Sequence, residues 1–378
     1  MPRKISCVFF FYAFLAALSF GAYAAENSSS SETNREGLFS MDVKGAGVYF
    51  DRSRNFEIAN VGDWGIRAAG LNGGESPIKY STDGWGGGYS IDAKYALKKN
   101  VGLEAVFGQY FAEKRLMEGS LPGYDGGPGF LTAMAFIDGG LRGSNLTRGF
   151  FLHANPTPID GTTGSAKLTY KFYTHSIALH ASYDCIQSKN AELGFFAGPA
   201  YVNFRQNYSL ATVGINAGFN NNTTSRTVEK LTDHLFGAHL GVKGKVYLFR
   251  KLSLLLRQTF GLYARQSYLR GEQEIINAAG TTGGGAATFL NLNDRIVIHD
   301  RNIGFVPQFD TDIALTYDIN DRVSISAYYQ LGVWLNVSRV ENAVIAADLT
   351  RILKGGPTRI GQENMSSHAI GGKLSIKF

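Results

Sequence analysis

The sequence predicts an all-β chain: a transmembrane, antiparallel, up-and-down β-barrel of about ten strands, with twelve as the alternative. Three observations carry this expectation. Apolar and polar residues alternate with period two over segments longer than a bilayer crossing needs. Short and long connections between those segments alternate strictly along the chain. The final stretch, His368 to Phe378, puts Ile370, Gly372, Leu374, Ile376 and Phe378 on one strand face and Gly371, Lys373, Ser375 and Lys377 on the other.

The chain opens with Arg3 and Lys4, an apolar run from Cys7 to Leu18, and Ala22-Tyr23-Ala24 with small residues at the positions a signal peptidase reads. Residues 1–24 are therefore expected to be a cleaved signal peptide, the run being short for a spanning helix. Residues 25–36 are polar and featureless, which predicts a flexible periplasmic tail. Residues 37–378 are expected to form the barrel.

Strand-like segments fall at 37–50, 85–97, 101–113, 165–187, 192–209, 232–249, 252–273, 302–319, 322–340 and 366–378. The connections 98–100, 188–191, 250–251 and 320–321 are tight turns. The stretches 51–84, 114–164, 210–231, 274–301 and 341–364 are long and rich in Gly, Asn, Thr and Pro. Tight periplasmic turns and long outer loops are the asymmetry of an outer-membrane barrel. Phe309 and Tyr317 are eight residues apart on one apolar face, roughly 21 Å of height at a 40° tilt, so the two rings are expected in opposite aromatic girdles. Two features strain the pattern. Pro199 falls inside a strand, and the apolar parity changes between Leu168/Tyr170/Phe172 and Ile177/Leu179/Ala181/Tyr183. The proline predicts a bulge, and the parity change predicts a bulge or a shorter strand. The stretch 114–164 is long enough to hide two more strands, near 130–137 and 147–155, which is the source of the twelve-strand alternative.

Composition narrows the class. The net charge of +6 is too mild to argue for nucleic acid. Average hydropathy is near zero although 13% of residues are aromatic; a lipid-facing barrel hides its apolar residues at alternate positions. Cys185 is the one cysteine beyond the expected signal peptide, so the fold stands without an internal disulfide. It reads as a small apolar filler near a strand end.

Candidate chemistry is sparse. His180, Ser182 and Asp184 share one strand face, but Ile177, Leu179, Ala181 and Tyr183 claim the lipid side, which turns the polar set inward as lumen lining. His299, Asp300 and Asp294 sit near an outer rim without a defined constellation. The histidines lack metal-ligand spacing, and Gly84–Gly88 and Gly283–Gly285 lack phosphate-loop spacing. No catalytic, cofactor or metal residues are expected, and the chain reads as a non-enzyme. The expected inward-facing residues are Asp92, Lys94, Glu104, His239, Lys243, Lys245, Arg257, Arg265, Asp310, Asp312, Asp318 and Lys373. Their mixed charges fit either an internal salt-bridge network filling a narrow barrel or a water-filled path with a charged constriction. Ten to twelve strands lie between the filled interior of about eight strands and the open channel of about sixteen.

The closing strand resembles that of bacterial outer-membrane barrels, in which a terminal aromatic residue is read by the assembly machinery; Phe378 would be that signal. Three longer stretches, Asp233–Gly244 with Leu252–Gly261, Phe305–Tyr317, and Val323–Val337, resemble the later strands of bacterial β-barrel porins of the Legionella major-outer-membrane-protein type. Asp63-Trp64-Gly65, Trp85–Tyr89 and Leu193–Tyr201 look like its early and middle strands. The resemblance implies a pore for passive diffusion of small hydrophilic solutes or ions in a Gram-negative outer membrane. A non-conducting surface barrel acting as adhesin or structural protein through its loops is the alternative, and a barrel hydrolase the third reading. The partners implied are outer-membrane lipid and the assembly machinery, with a homo-oligomer left open.

Overall fold

The computed structural model describes residues 38–52, 55–62, 76–81, 84–121, 130–133, 162–216, 221–278, 294–340 and 360–378. The expected signal peptide, the tail, and most of the long outer loops lie outside the described residues.

The strands are β1 (Phe39–Arg52), β2 (Asn55–Gly62), β3 (Ser76–Ser81), β4 (Gly84–Lys98), β5 (Val101–Leu121), β6 (Phe130–Ala133), β7 (Thr162–Gln187), β8 (Ala191–Asn216), β9 (Asn221–Phe249), β10 (Leu252–Ala278), β11 (Asp294–Asp318), β12 (Val323–Val340) and β13 (Ile360–Lys377). Ten of them close a barrel in the order β1-β13-β12-β11-β10-β9-β8-β7-β5-β4, each antiparallel to its neighbours. This is the ten-strand, antiparallel, up-and-down barrel that the sequence predicts. The twelve-strand alternative does not hold: β6, in the stretch suspected of hiding extra strands, pairs with β2 in a separate three-stranded sheet β3-β2-β6. The second suspected strand, near 147–155, lies outside the described residues.

Closure runs through the chain's last strand. β1 pairs with β13 from Ser40↔Lys377 to Arg52↔Met365. Phe378 donates its N–H to Phe39 O at 2.9 Å, and the two rings pack 5.6 Å apart.

The outward face is apolar over a band set by exposed side chains: Phe236 and Leu240 to Leu248 on β9, Leu262 to Leu254 on β10, and Ile303 to Tyr317 on β11. Aromatic rings border this band. On the outer side Tyr49 packs on Trp85 at 5.4 Å, Tyr329 hydrogen-bonds His368 at 2.8 Å, and Tyr201 hydrogen-bonds His234 at 2.8 Å. Phe309 and Tyr317 both face outward, and Ile303 and Phe305 continue the exposed face beyond Phe309. β9 has 29 residues, roughly 70 Å along the axis at a 40° tilt against ~25 Å for an apolar band. The walls therefore stand well above the membrane on the outer side.

Neither expected bulge forms. Pro199 faces outward and keeps its register with Ala238; on its other side the β7 ladder passes from Ala178↔Ala200 to Ala181↔Ala197, leaving a gap where the proline has no N–H to give. The parity change in β7 has a different cause. Tyr170 and Phe172 point inward and Ile177 and Leu179 outward on an unbroken strand, because the outer half of the interior is itself apolar. The register shift in β7 falls instead between Asp184 and Ile186, at Cys185. That residue is exposed, with Sγ 3.3 Å from Leu193 O, and is not the apolar filler expected.

One bulge shapes the molecule. The β12–β13 register shifts between Trp334 and Val337, and Asn336 takes φ 60. Beyond Trp334, β12 leaves β11. Ser338 N–H instead donates to Asp233 on β9 at 3.1 Å, three strands away in the wall, and its hydroxyl meets Ser267 on β10 at 2.6 Å. The paired ends Val337–Val340 and Ile360–Glu363 thus bend inward across the barrel mouth.

Candidate functional site: the filled lumen

The inward residues form layers from the periplasmic end outward. At the periplasmic end Lys243 pairs with Asp184 at 3.0 Å, and the Lys245 ammonium lies 4.5 Å from the Tyr247 ring. Above this is a charged floor. Lys94 bridges Asp42 at 2.8 Å and Glu104 at 4.0 Å, Lys373 approaches Asp42 at 3.7 Å, and Lys44 pairs with Asp92 at 3.2 Å. Arg257 reaches across the barrel from β10 to Glu104 on β5 at 2.6 Å, with its guanidinium 4.1 Å over the Phe196 ring. Asp92 and Glu104 are almost completely buried. Alternation puts these charges inside, and burial then requires that they pair.

A polar chain follows. Arg257 Nη2 lies 3.3 Å from His180 Nδ1, which it can only approach as a donor. A neutral His180 then carries its proton on Nε2 and donates to His239 Nδ1 at 3.0 Å. His239 Nε2 continues to Gln308 Oε1 at 3.3 Å and is also hydrogen-bonded to Tyr263, while Gln308 Nε2 donates to Asp310. The direction of this chain is fixed by the arginine at its start. His180 is thereby committed to His239 and Arg257, so Ser182 does not receive it as a base.

Next comes an aromatic layer that no inward reading of polar residues anticipated. Phe50 packs on Phe172 at 4.8 Å, Phe172 on Phe204 at 5.7 Å, Phe204 on Trp334 at 5.0 Å, and Trp334 on Tyr263 at 5.8 Å. These rings come from β1, β7, β8, β12 and β10, so the row crosses the lumen.

The inward-bent hairpin forms the outermost layer. Arg265, nearly fully buried, donates to Asn336 O and to Asn302 Oδ1 at 3.0 Å; the positive φ of Asn336 is what turns that carbonyl inward. Gln206 on β8 donates to Ser338 O at 2.7 Å. Ile360 packs with Leu231 and Leu269 of the wall. Burial pushes the Asp233 carboxyl up from its ordinary value, against the pull of its Ser267 and Ser338 hydrogen bonds. Burial also pushes Glu363 up to about 8.

All the residues expected to face inward from sequence have resolved places, and Asp92, Lys94, Glu104, His239, Lys243, Arg257, Arg265, Asp310, Asp312 and Lys373 belong to this interior. They do not share one constriction: Arg265 anchors the hairpin, whereas Arg257 ties the floor. Sequence reasoning missed Asp42 and Lys44, whose β1 pattern is short and Gly-rich, and the aromatic layer. His299, Asp300 and Asp294 all lie on β11. Among the described residues no group of His, Cys, Asp or Glu could hold a metal ion.

No protein-family model and no curated protein matches this chain. Solved structures do. The outer membrane protease OmpT from Escherichia coli aligns over 92% of this chain and 99% of its own, at 11% identity and a TM-score of 0.43. The CymD monoaromatic hydrocarbon channel aligns over 91% and 89%, at 8% identity and TM-score 0.31. A mutant of the TodX monoaromatic hydrocarbon channel aligns over 91% of each chain, at 7% identity and TM-score 0.27. These are outer-membrane barrels of differing activity. They correct one sequence expectation: since a protease has an architecture of this kind, the barrel does not mark the chain as a non-enzyme.

Proposed function

We propose that this protein is an outer-membrane barrel that keeps its lumen closed and works through its tall extracellular half, as a surface barrel with an adhesive or structural role. The observation that carries this reading is the bridging of the lumen at three heights, by the Arg257–Glu104 floor, the Phe50-to-Trp334 ring row and the Asn336 hairpin. Each bridge joins strands that are not neighbours in the wall, so side chains occupy the space a solute would need. The long walls support a role outside the membrane. Export by the signal peptide at 1–24 and insertion through Phe378 complete the proposal.

A second reading is favoured by one observation. The hairpin turns at a single left-handed residue, Asn336, and is held by polar contacts that could exchange with water. A gated path for small hydrophilic solutes or ions, as the Legionella-type resemblance implies, would open there. Efflux from proteoliposomes loaded with glucose and a trisaccharide tests both. Retention of both sugars is the expected result; release of glucose alone would favour the gated path.

A further inference from the structure

The two faces of the wall treat their cations differently. Inside, Lys44, Lys94, Lys243 and Arg257 each pair with a carboxylate, at 2.6 to 3.2 Å. On the outward face of β8 to β11, Arg205, Lys230, Arg270, His299 and Arg301 are all exposed. Among the described residues none of these five forms an ion pair.

The ladder gathers them into two adjacent rows. In the first, Arg301 pairs with Tyr268, Tyr268 with Thr232, and Thr232 with Arg205. In the second, one step further out, His299 pairs with Arg270, Arg270 with Lys230, and Lys230 with Asn207. Two rows on four strands cover roughly 14 Å by 7 Å. Neither row holds a carboxylate on these strands. Asp300 alternates to the other face, and Glu272 comes one row further out, opposite Val228 and Val297. Along the second row on β7, Lys171 is already paired with Glu113 at 3.0 Å, which bounds the patch.

Like charges directly opposite each other on neighbouring strands are destabilising, and Lys230 and Arg270 are such a pair. Arg301 is steadied beside them, with its guanidinium 5.3 Å from the centre of the Tyr268 ring. A dianion set between these three would relieve the repulsion, and the arginine fork matches phosphate oxygens. On the membrane side of the cations the same strands expose Phe236, Leu262, Ile303 and Phe305. Apolar face first and cations beyond it is the order in which an anionic lipid presents its chains and its headgroup.

We propose that this patch binds a lipid whose headgroup carries a phosphate monoester, with the phosphate on Lys230, Arg270 and Arg301 and the acyl chains along Phe236, Leu262 and Phe305. The proposal rests on the outer-membrane reading and is independent of whether the lumen conducts.

The test is native mass spectrometry of the refolded full chain in detergent, titrated with dioleoyl phosphatidic acid. Dioleoyl phosphatidylglycerol, a phosphate diester, is the comparison. Saturable retention of phosphatidic acid, at least tenfold tighter than that of phosphatidylglycerol, is expected. Arg270→Gln/Arg301→Gln should weaken it at least tenfold. Lys98→Gln/Lys189→Gln, which removes two exposed cations at the periplasmic end, should leave it unchanged. Equal retention of the two lipids overturns the proposal, as does retention that survives Arg270→Gln/Arg301→Gln or falls equally with the periplasmic pair. Displacement by equimolar inorganic phosphate overturns it too, since the acyl chains would then contribute nothing. Insertion into phosphatidylcholine vesicles, read by heat-modifiable migration, separates the site from its premise. A barrel that inserts without preferring phosphatidic acid rejects the site alone, whereas a chain that does not insert rejects the membrane reading and the site with it.

Discussion

Replacing Glu104 by Gln removes the charge on which the lumen floor is centred. Its Oε1 lies 2.6 Å from Arg257 Nη1, its Oε2 3.8 Å from His180 Nδ1, and the residue is 3% exposed. At an effective dielectric of about 20, two charges at that separation attract by roughly 6 kcal/mol. Desolvation offsets much of this in the intact pair, but the substitution removes the attraction and leaves Arg257 buried with its own cost. Breaking a buried pair in this way costs about 3–5 kcal/mol. Equilibrium urea unfolding in lipid vesicles, followed by tryptophan fluorescence, should therefore show a loss of about 3–5 kcal/mol. The double variant Glu104→Gln/Arg257→Met should recover at least half, because no unpaired charge remains. A single-variant loss below about 0.5 kcal/mol would refute the reasoning, since it would mean that water and mobile ions reach Arg257 freely.

Asn336→Val forces a β-branched residue into a left-handed conformation and should cost about 1–2 kcal/mol in the same assay, whereas Asn336→Gly should be near neutral. Cysteines at Ser267 and Ser338, whose oxygens are 2.6 Å apart, should form a disulfide on mild oxidation in a Cys185→Ser background; absence of the crosslink by non-reducing mass spectrometry would remove the hairpin from the mouth. Glu363 keeps its proton to about 8 against 4.5 for a free glutamate. The folded state then binds more protons than the unfolded state between those values, so the hairpin's stability is full below 4.5 and falls as pH rises towards 8. Hydrogen exchange at Val337–Val340, corrected for intrinsic rates, should deprotect from pH 5 to pH 8, and Glu363→Gln should remove the trend. Deleting Phe378 should sharply lower the yield of barrel in the outer membrane, measured by fractionation, because its ring and N–H close the β1–β13 seam on Phe39.

The wall was legible in the sequence because period-two alternation needs only one property per residue. Phe236, Leu240, Leu254, Phe309 and Ile325 all face outward as the pattern requires. The charged floor was legible for the same reason, since Asp92, Lys94, Glu104 and Arg257 oppose apolar neighbours. The outer half was not. There Val48, Phe50, Tyr170, Phe172 and Phe204 are apolar and inward, so a polar-inside rule misassigns the parity and suggests a bulge that does not form. The hairpin was invisible because its cause is one backbone conformation at Asn336 and contacts between strands distant in sequence. Period-two alternation from Val323 would put Val337 on the lipid face; the bulge turns it inward, where it is buried. The histidine chain depends on which rings meet across the barrel, and pairing of β7, β8 and β9 in register sets that.

Single-channel recording of the refolded protein in a planar bilayer tests the closed lumen most directly. The account predicts a folded, heat-modifiable barrel with no conductance steps in 1 M salt. Stable steps whose size scales with salt concentration would contradict it.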